Sequence, residues 1–206
     1  MKIYQSEVAP IGTNCYLVVN EENNEAVVVD PGGSPEIIAQ MINRSGAKVQ
    51  AIFLTHGHMD HIGALEEVHA ATGAKVYISE EDAPMLSNPE SSLAAFMGMD
   101  LHCPPADAFF RHGEAVEEAG LQFKVLATPG HTPGGVCLLC ADVCFCGDTI
   151  FCESIGRTDF PGGSYTELVA GIKAKLLVLN PDTKLLPGHG PSTTVDWEKR
   201  RNPFLQ

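Results

Sequence analysis

The sequence predicts an α/β fold made of two strand-rich halves within one domain spanning residues 1–206. Three observations lead there. Short Val- and Ile-rich runs alternate with stretches of helical apolar period. That alternation occurs twice, once before residue 80 and once after residue 120. In both halves, His and Asp fall where a strand runs into a Gly- or Pro-rich turn. An apolar fraction of 44 % and a charged fraction of 19 % describe a globular chain, long enough to bury a core.

In the first half, NCYLVV (14–19) and EAVVVD (25–30) read as strands joined by the polar turn 20–24. Ser34 followed by Pro35 marks a helix start, and Ile37, Ile38, Met41 and Ile42 supply one apolar face before Gly46 stops it. KVQAIFLT (48–55) is a buried strand that ends at a histidine cluster. A short helix through Leu65 and Val68 stops at Gly73, and KVYIS (75–79) is the next strand. Residues 80–120, rich in Pro, Ser and Asp, read as an irregular, substrate-facing insertion. In the second half, 121–128, 135–140 and 143–148 are strands. Ser164 and Glu167 form a capping box ahead of a helix that carries Leu168, Val169, Ile172 and Leu176 on one face. The stretch 183–189 is a last short strand ending in His189.

A net charge of −13 excludes a general attraction to nucleic acid or anionic membrane. Lys199, Arg200 and Arg201 are the one basic cluster and read as solvated surface. No apolar run approaches the ~18–20 residues of a membrane span, and the first ten residues show no secretory signal. The expected setting is cytoplasmic, with seven reduced cysteines. Cys137 and Cys140 imitate a chelating pair, but three apart on a strand they face opposite ways and read as buried thiols. Cys146, two before Asp148, would share its face, which leaves packing and support of that aspartate both open.

The chemistry is concentrated in HGHMDH (56–61), joined by His131 in TPGHTPGG, Asp148 in CGDT and His189 in PGHGP. His56 and His58, two apart on an extended segment, point the same way. Asp60 and His61 fall where a helix begins and turn toward a second point. Asp148 offers two oxygens and suits a bridge. Seven donors of imidazole and carboxylate type exceed a closed structural zinc site and include no Cys. They suit two divalent ions, Zn, Fe or Mn.

These motifs, from the turn Val29–Gly32 through HGHMDH to His189, resemble those of metallo-β-lactamase-fold hydrolases along essentially the whole chain. The resemblance implies an αββα sandwich, two mixed sheets flanked by helices with the metals at one edge. It assigns His56, His58 and His131 to one ion, Asp60, His61 and His189 to the other, and Asp148 to both. Asp60 would also orient the attacking water or accept its proton. Asp30 would brace the site, or serve simply as a turn residue. Two such ions, about 3.5–4 Å apart, bring the pKa of bound water toward ~7.

Within that family the chain resembles the short bacterial glyoxalase II-like group, through Gly156-Arg-Thr-Asp-Phe-Pro-Gly-Gly163 and the terminal Asn-Pro-Phe-Leu. The implied reaction is hydrolysis of a small-molecule thioester such as S-D-lactoylglutathione. Arg157 stands where glyoxalase II usually has a Lys for the glutathione carboxylate; an Arg157–Asp159 brace of the loop is the competing reading. Pro191 replaces a usual Tyr, and the helical C-terminal domain of long enzymes has no counterpart in the 206 residues. The same Gly156–Phe160 run also resembles persulfide dioxygenases, which would use one iron at His56, His131 and Asp148. A fold kept without catalysis would not need all seven donor positions filled. The sequence sets no oligomeric state.

Overall fold

Strands that are apolar at successive positions need cover on both faces. TNCYLVVN shows how this chain supplies it: all eight residues are buried, with Cys15, Leu17 and Val19 in one core and Tyr16 and Val18 in another. A computed structural model describes residues 1–206. The chain forms four layers, helix, sheet, sheet and helix, which is the predicted αββα sandwich.

The first sheet holds β1 (Lys2–Val8), β2 (Thr13–Asn20), β3 (Glu25–Val29), β4 (Lys48–Phe53), β5 (Lys75–Ser79) and β6 (Ala108–Phe110) in that spatial order. Its first three strands are antiparallel and the rest parallel, so the sheet is mixed. Its outer face packs against α1 (Pro35–Ser45) and α3 (Leu65–Thr72); α2 (Met59–Ile62) is a single turn just before α3. The second sheet is built from β7 (Ala115–Glu118), β8 (Leu121–Ala127), β9 (Val136–Cys140) and β10 (Val143–Gly147). Beyond the small hairpin of β11 (Ile150–Phe151) and β12 (Ser154–Ile155), α4 (Tyr165–Gly171) runs into a π-helical turn, Ile172–Leu176. β13 (Lys184–Pro187), parallel to β10, and β14 (Thr193–Thr194) complete the sheet, and α5 (Val195–Arg201) follows.

The inner faces of the two sheets meet in an aromatic core. Phe53 is fully buried and its ring meets Tyr77, Phe110 and Phe123 edge-on at 5.0–5.2 Å. Burying such a side chain is worth about 1.5–3 kcal/mol. On the far side of the second sheet, Leu168, Ile172 and Leu176 make the third core, the face expected of that helix. This packing brings the C-terminal ends of β3, β4, β8, β10 and β13 to one edge, and every strand-end His and Asp lies there.

Several local expectations change. Ser34 does not cap α1: its backbone is left-handed (φ 49°), and its hydroxyl accepts a hydrogen bond from Ala9 N–H instead. Residues 80–120 are less irregular than they read, since β6 and β7 cross them. β10 bulges at Gly147 (φ 47°), where a Cβ would stand 2.2 Å from Thr55 Oγ1. The bulge ends the strand alternation, so Cys146 packs into the outer-face core while Asp148 joins the histidines. Cys137 and Cys140 do face opposite ways, one in each of two cores, and all seven cysteines are free. No helix is long and apolar enough to cross a membrane.

Candidate metal centre

The seven strand-end residues fall into three overlapping sets, each with donor atoms within 4.8 Å of one another. His56, His58 and His131 form the first, Asp60, His61 and His189 the second. His56, His61 and Asp148 form a set linking the two. Asp148 reaches across them: Oδ1 lies 3.3 Å from His61 Nε2, while Oδ2 lies 3.5 Å from His131 Nε2 and 3.6 Å from His189 Nε2. His58 Nδ1 and His131 Nε2 are 2.9 Å apart.

Outward hydrogen bonds fix which nitrogen of each ring faces inward. Asp30 accepts from Thr55 N–H and the Thr55 hydroxyl, both at 2.7 Å, and from His61 Nδ1–H at 3.0 Å. Because Thr55 Oγ1 donates to Asp30, it can only accept from His56 Nδ1–H, 3.2 Å away. His131 Nδ1–H donates to the Arg157 carbonyl at 2.8 Å. In all three rings Nε2 is left with its lone pair turned into the cluster, the arrangement metal-ligating histidines take.

The chain is 38 % identical over 210 residues to the hydroxyacylglutathione hydrolase GloC of Haemophilus influenzae, covering 97 % of both chains. It overlays the crystal structure of the B3 metallo-beta-lactamase BLEG-1 with a TM-score of 0.95 at 37 % identity, covering both chains fully. TTHA1623, crystallised in a di-iron-bound form, matches with a TM-score of 0.87 at 36 % identity, over 98 % of this chain and 100 % of that one. ETHE1 of Myxococcus xanthus matches at 0.84 and 31 % identity, over 98 % and 84 %. The model of the metallo-beta-lactamase superfamily covers residues 8–189. The chain belongs to that superfamily.

As a metallo-hydrolase of the superfamily it should offer a place for divalent ions, and the donor set fits them. His56 Nε2, His61 Nε2 and Asp148 Oδ1 are buried without any hydrogen-bond partner. Leaving such groups unpaired costs about 1–3 kcal/mol each, a cost that coordination removes. Gly188 guards the space: a Cβ there would stand 2.3 Å from Asp148 Oδ1 and 2.7 Å from the His61 ring.

The two donor sets differ electrostatically. Burial, reinforced by the neighbouring imidazoles, holds His56 well below the ordinary histidine value. Burial and His131 push His58 down to about 3. Around His61, burial opposes the charged form, but Asp60, Asp148 and Asp30 outweigh it and raise its pKa well above the ordinary value. His189 is also raised, against burial, by its bond to Asp60 and the charge of Asp148. Protons therefore compete with a metal at His61 and His189 and hardly at His56 and His58. On acidification across a range that starts above the ordinary histidine value of 6.5, an ion held by the Asp60–His61–His189 set should be released first. Metal retained per chain after dialysis across that range checks this, with one-step loss of both ions the contrary result.

Arg157 lies outside the cluster. Its guanidinium is 56 % exposed, donates twice to Asp159 at 2.8 Å, and stacks on Phe160 with 3.8 Å to the ring centroid. Its carbonyl, not its side chain, meets the site. Two supporting residues were missed in the sequence. Thr13 Oγ1 donates to Asp60 Oδ2 at 2.8 Å, which also accepts from His189 Nε2 at 3.1 Å. Asp82, fully buried, accepts from Gly57 N–H at 3.2 Å and from Gly134 N–H at 2.7 Å. It thereby ties the loop of His56 and His58 to the loop of His131. Asp82→Ala is expected to weaken metal binding by about 10–100-fold, the usual cost of losing such support; chelator competition measures it.

Proposed function

We propose that the protein is a binuclear metal-dependent thioester hydrolase, with S-D-lactoylglutathione as the leading substrate. The observation that carries the proposal is the pair of donor sets meeting at Asp148, with three imidazoles locked to present Nε2. Its similarity to GloC over 97 % of both chains supports the thioester. His56, His58 and His131 would hold one ion, Asp60, His61 and His189 the other, and Asp148 would serve both. Bound there, two divalent ions polarise the thioester carbonyl and make hydroxide available near neutral pH.

The remaining work falls to the chain. Burial raises the Asp60 pKa, but the charge of His61 and hydrogen bonds from His189 and Thr13 outweigh it and hold the carboxyl well below the usual range. A carboxylate that acidic is a weak base. Its part would be to orient the attacking water, with Thr13 steadying its Oδ2. Arg157 would receive a substrate carboxylate by releasing Asp159, with Phe160 keeping the guanidinium plane in place. Losing a charge-assisted pair costs about 1.5–3 kcal/mol. Arg157→Ala should therefore raise KM by roughly 10–100-fold on glutathione thioesters with kcat nearly unchanged. An unchanged KM would leave Arg157 only the loop brace with Asp159.

Elemental analysis per chain, followed by assay on a panel of acyl-thiols beside a β-lactam, tests the proposal. Two metals with thioester cleavage support it; two metals without cleavage of any thioester defeat it. A second reading, a one-iron persulfide dioxygenase, draws on the Gly156–Phe160 run and on the structural likeness to ETHE1. One iron per chain with oxygen uptake on glutathione persulfide would favour that reading instead.

A further inference from the structure

Three cysteines converge behind the metal centre. Antiparallel pairing sets Cys144 beside Leu139 and Phe145 beside Leu138, so the next step along β10 brings Cys146 opposite Cys137 on β9. Cys144 lies two residues from Cys146 and shares its face. The three Sγ atoms lie within 4.8 Å of one another, and each residue is 0 % exposed. Leu168, Ile172 and Leu176 belong to the same apolar core. The group brings together thiols alone, without imidazole or carboxylate.

Buried thiols are ordinary packing when scattered, and the other four are scattered. Cys15 lies in the core under α1 and α3, Cys140 between the sheets, and Cys103 and Cys152 are partly exposed. The trio differs in geometry. Metal–thiolate bonds of about 2.3 Å, the zinc value, in a trigonal plane separate the sulfurs by about 4.0 Å, within the 4.8 Å that bounds their separations here. Thr128 Oγ1, 3.4 Å from Cys137 Sγ, can donate to a thiolate while its oxygen accepts from the Thr149 hydroxyl at 2.7 Å.

We propose that Cys137, Cys144 and Cys146 form a second metal site, a three-thiolate seat for one soft divalent cation of the Cd(II) class. Donor softness sorts the ions, since imidazole and carboxylate at the strand ends suit Zn, Fe or Mn while thiolates select thiophilic metals. Charge sets the valence: in an apolar core, three thiolates around a divalent ion leave one net negative charge, against two around a monovalent ion. Each thiol gives its proton to solvent as it binds, and no electron moves. A seated ion joins β9 to β10 two residues before Asp148, so it should also stiffen the strand end that delivers that carboxylate.

The test uses the full chain with its His–Asp centre first saturated with Zn(II) and then titrated with Cd(II). One further Cd(II) per chain is expected, with an ultraviolet thiolate-to-cadmium charge-transfer band that saturates at one equivalent and a raised Tm. Cys144→Ala and Cys137→Ser should each weaken this binding at least ten-fold, while Cys103→Ala and Cys152→Ala leave it unchanged. No band in the unmodified protein would overturn the proposal, as would Cd(II) uptake solely by exchange with Zn(II) and without a band. A band that survives in Cys144→Ala, or is lost in Cys103→Ala or Cys152→Ala, would overturn it equally. If a core variant fails to fold, titration of the unmodified chain and of the two partly exposed variants still decides.

Discussion

Asp148→Ala should abolish turnover while leaving the metal-free fold nearly as stable as before. The carboxylate sits at the junction of the donor sets, 3.3–3.6 Å from His61, His131 and His189. Under the proposed two-ion reading neither set would keep its shared donor, and three imidazoles would face the charge of two cations with less compensation. A loss of kcat/KM of about 10³-fold or more is expected, equivalent to at least ~4 kcal/mol of transition-state stabilisation. Metal content should fall below two per chain. Folding depends on this residue less than turnover does, because Oδ1 has no hydrogen bond to lose, and the cost to the metal-free fold is limited to its ion pairs with the histidines. Thermal unfolding of metal-free protein should therefore move little between wild type and variant, while the stabilisation gained on adding metal should shrink in the variant. A purely structural aspartate would give the reverse pattern, with stability lost and metal kept. Elemental analysis and two melting curves separate the two patterns.

The sequence revealed this site unevenly, for physical reasons. HGHMDH is legible because four donor side chains are set within six residues by a strand end and one helical turn. Asp148 and His189 are legible because a donor that directly follows a Gly at a strand end has little structural work to do there. Asp82 is not legible. It closes Glu80-Glu81-Asp82, an acidic run that reads as solvated loop, and its burial exists only once Gly57 and Gly134 arrive from opposite halves of the chain. Thr13 hides in the same way, 47 residues from the Asp60 it steadies. Among the elements, β1 was missed because KIYQSEV lacks a boundary signal and is half exposed. The last helix was hidden behind its own charges. Val195–Arg201 reads as a basic surface patch, yet Thr194 caps it through Trp197 N–H, and Glu198 is fully buried on hydrogen bonds from Thr193, Glu153 N–H and Asn202. Local patterns expose ligands; long-range contacts alone expose what holds them.

The second large effect belongs to Asp30, and it should be the opposite of the first. Asp30→Ala is expected to destabilise the fold itself by about 3–5 kcal/mol, the range for breaking a buried charged network. Asp30 is 1 % exposed and accepts three hydrogen bonds, two from Thr55 and one from His61. Removing it leaves Thr55 N–H, the Thr55 hydroxyl and His61 Nδ1–H buried and unpaired at once. Asp30→Asn should rescue little, because one amide oxygen cannot serve three donors presented to two oxygens, and the amide N–H₂ would face a donor. The same loss reaches the metals. His61 would no longer be held with Nε2 inward, and the chain from His56 through Thr55 would lose its anchor, so affinity should fall about 10–100-fold at both donor sets. Denaturant unfolding of metal-free protein measures the first effect and chelator competition the second. A variant that kept its stability and lost only metal would show Asp30 to be a tuning group rather than the post on which β3, β4 and two ligands are fixed.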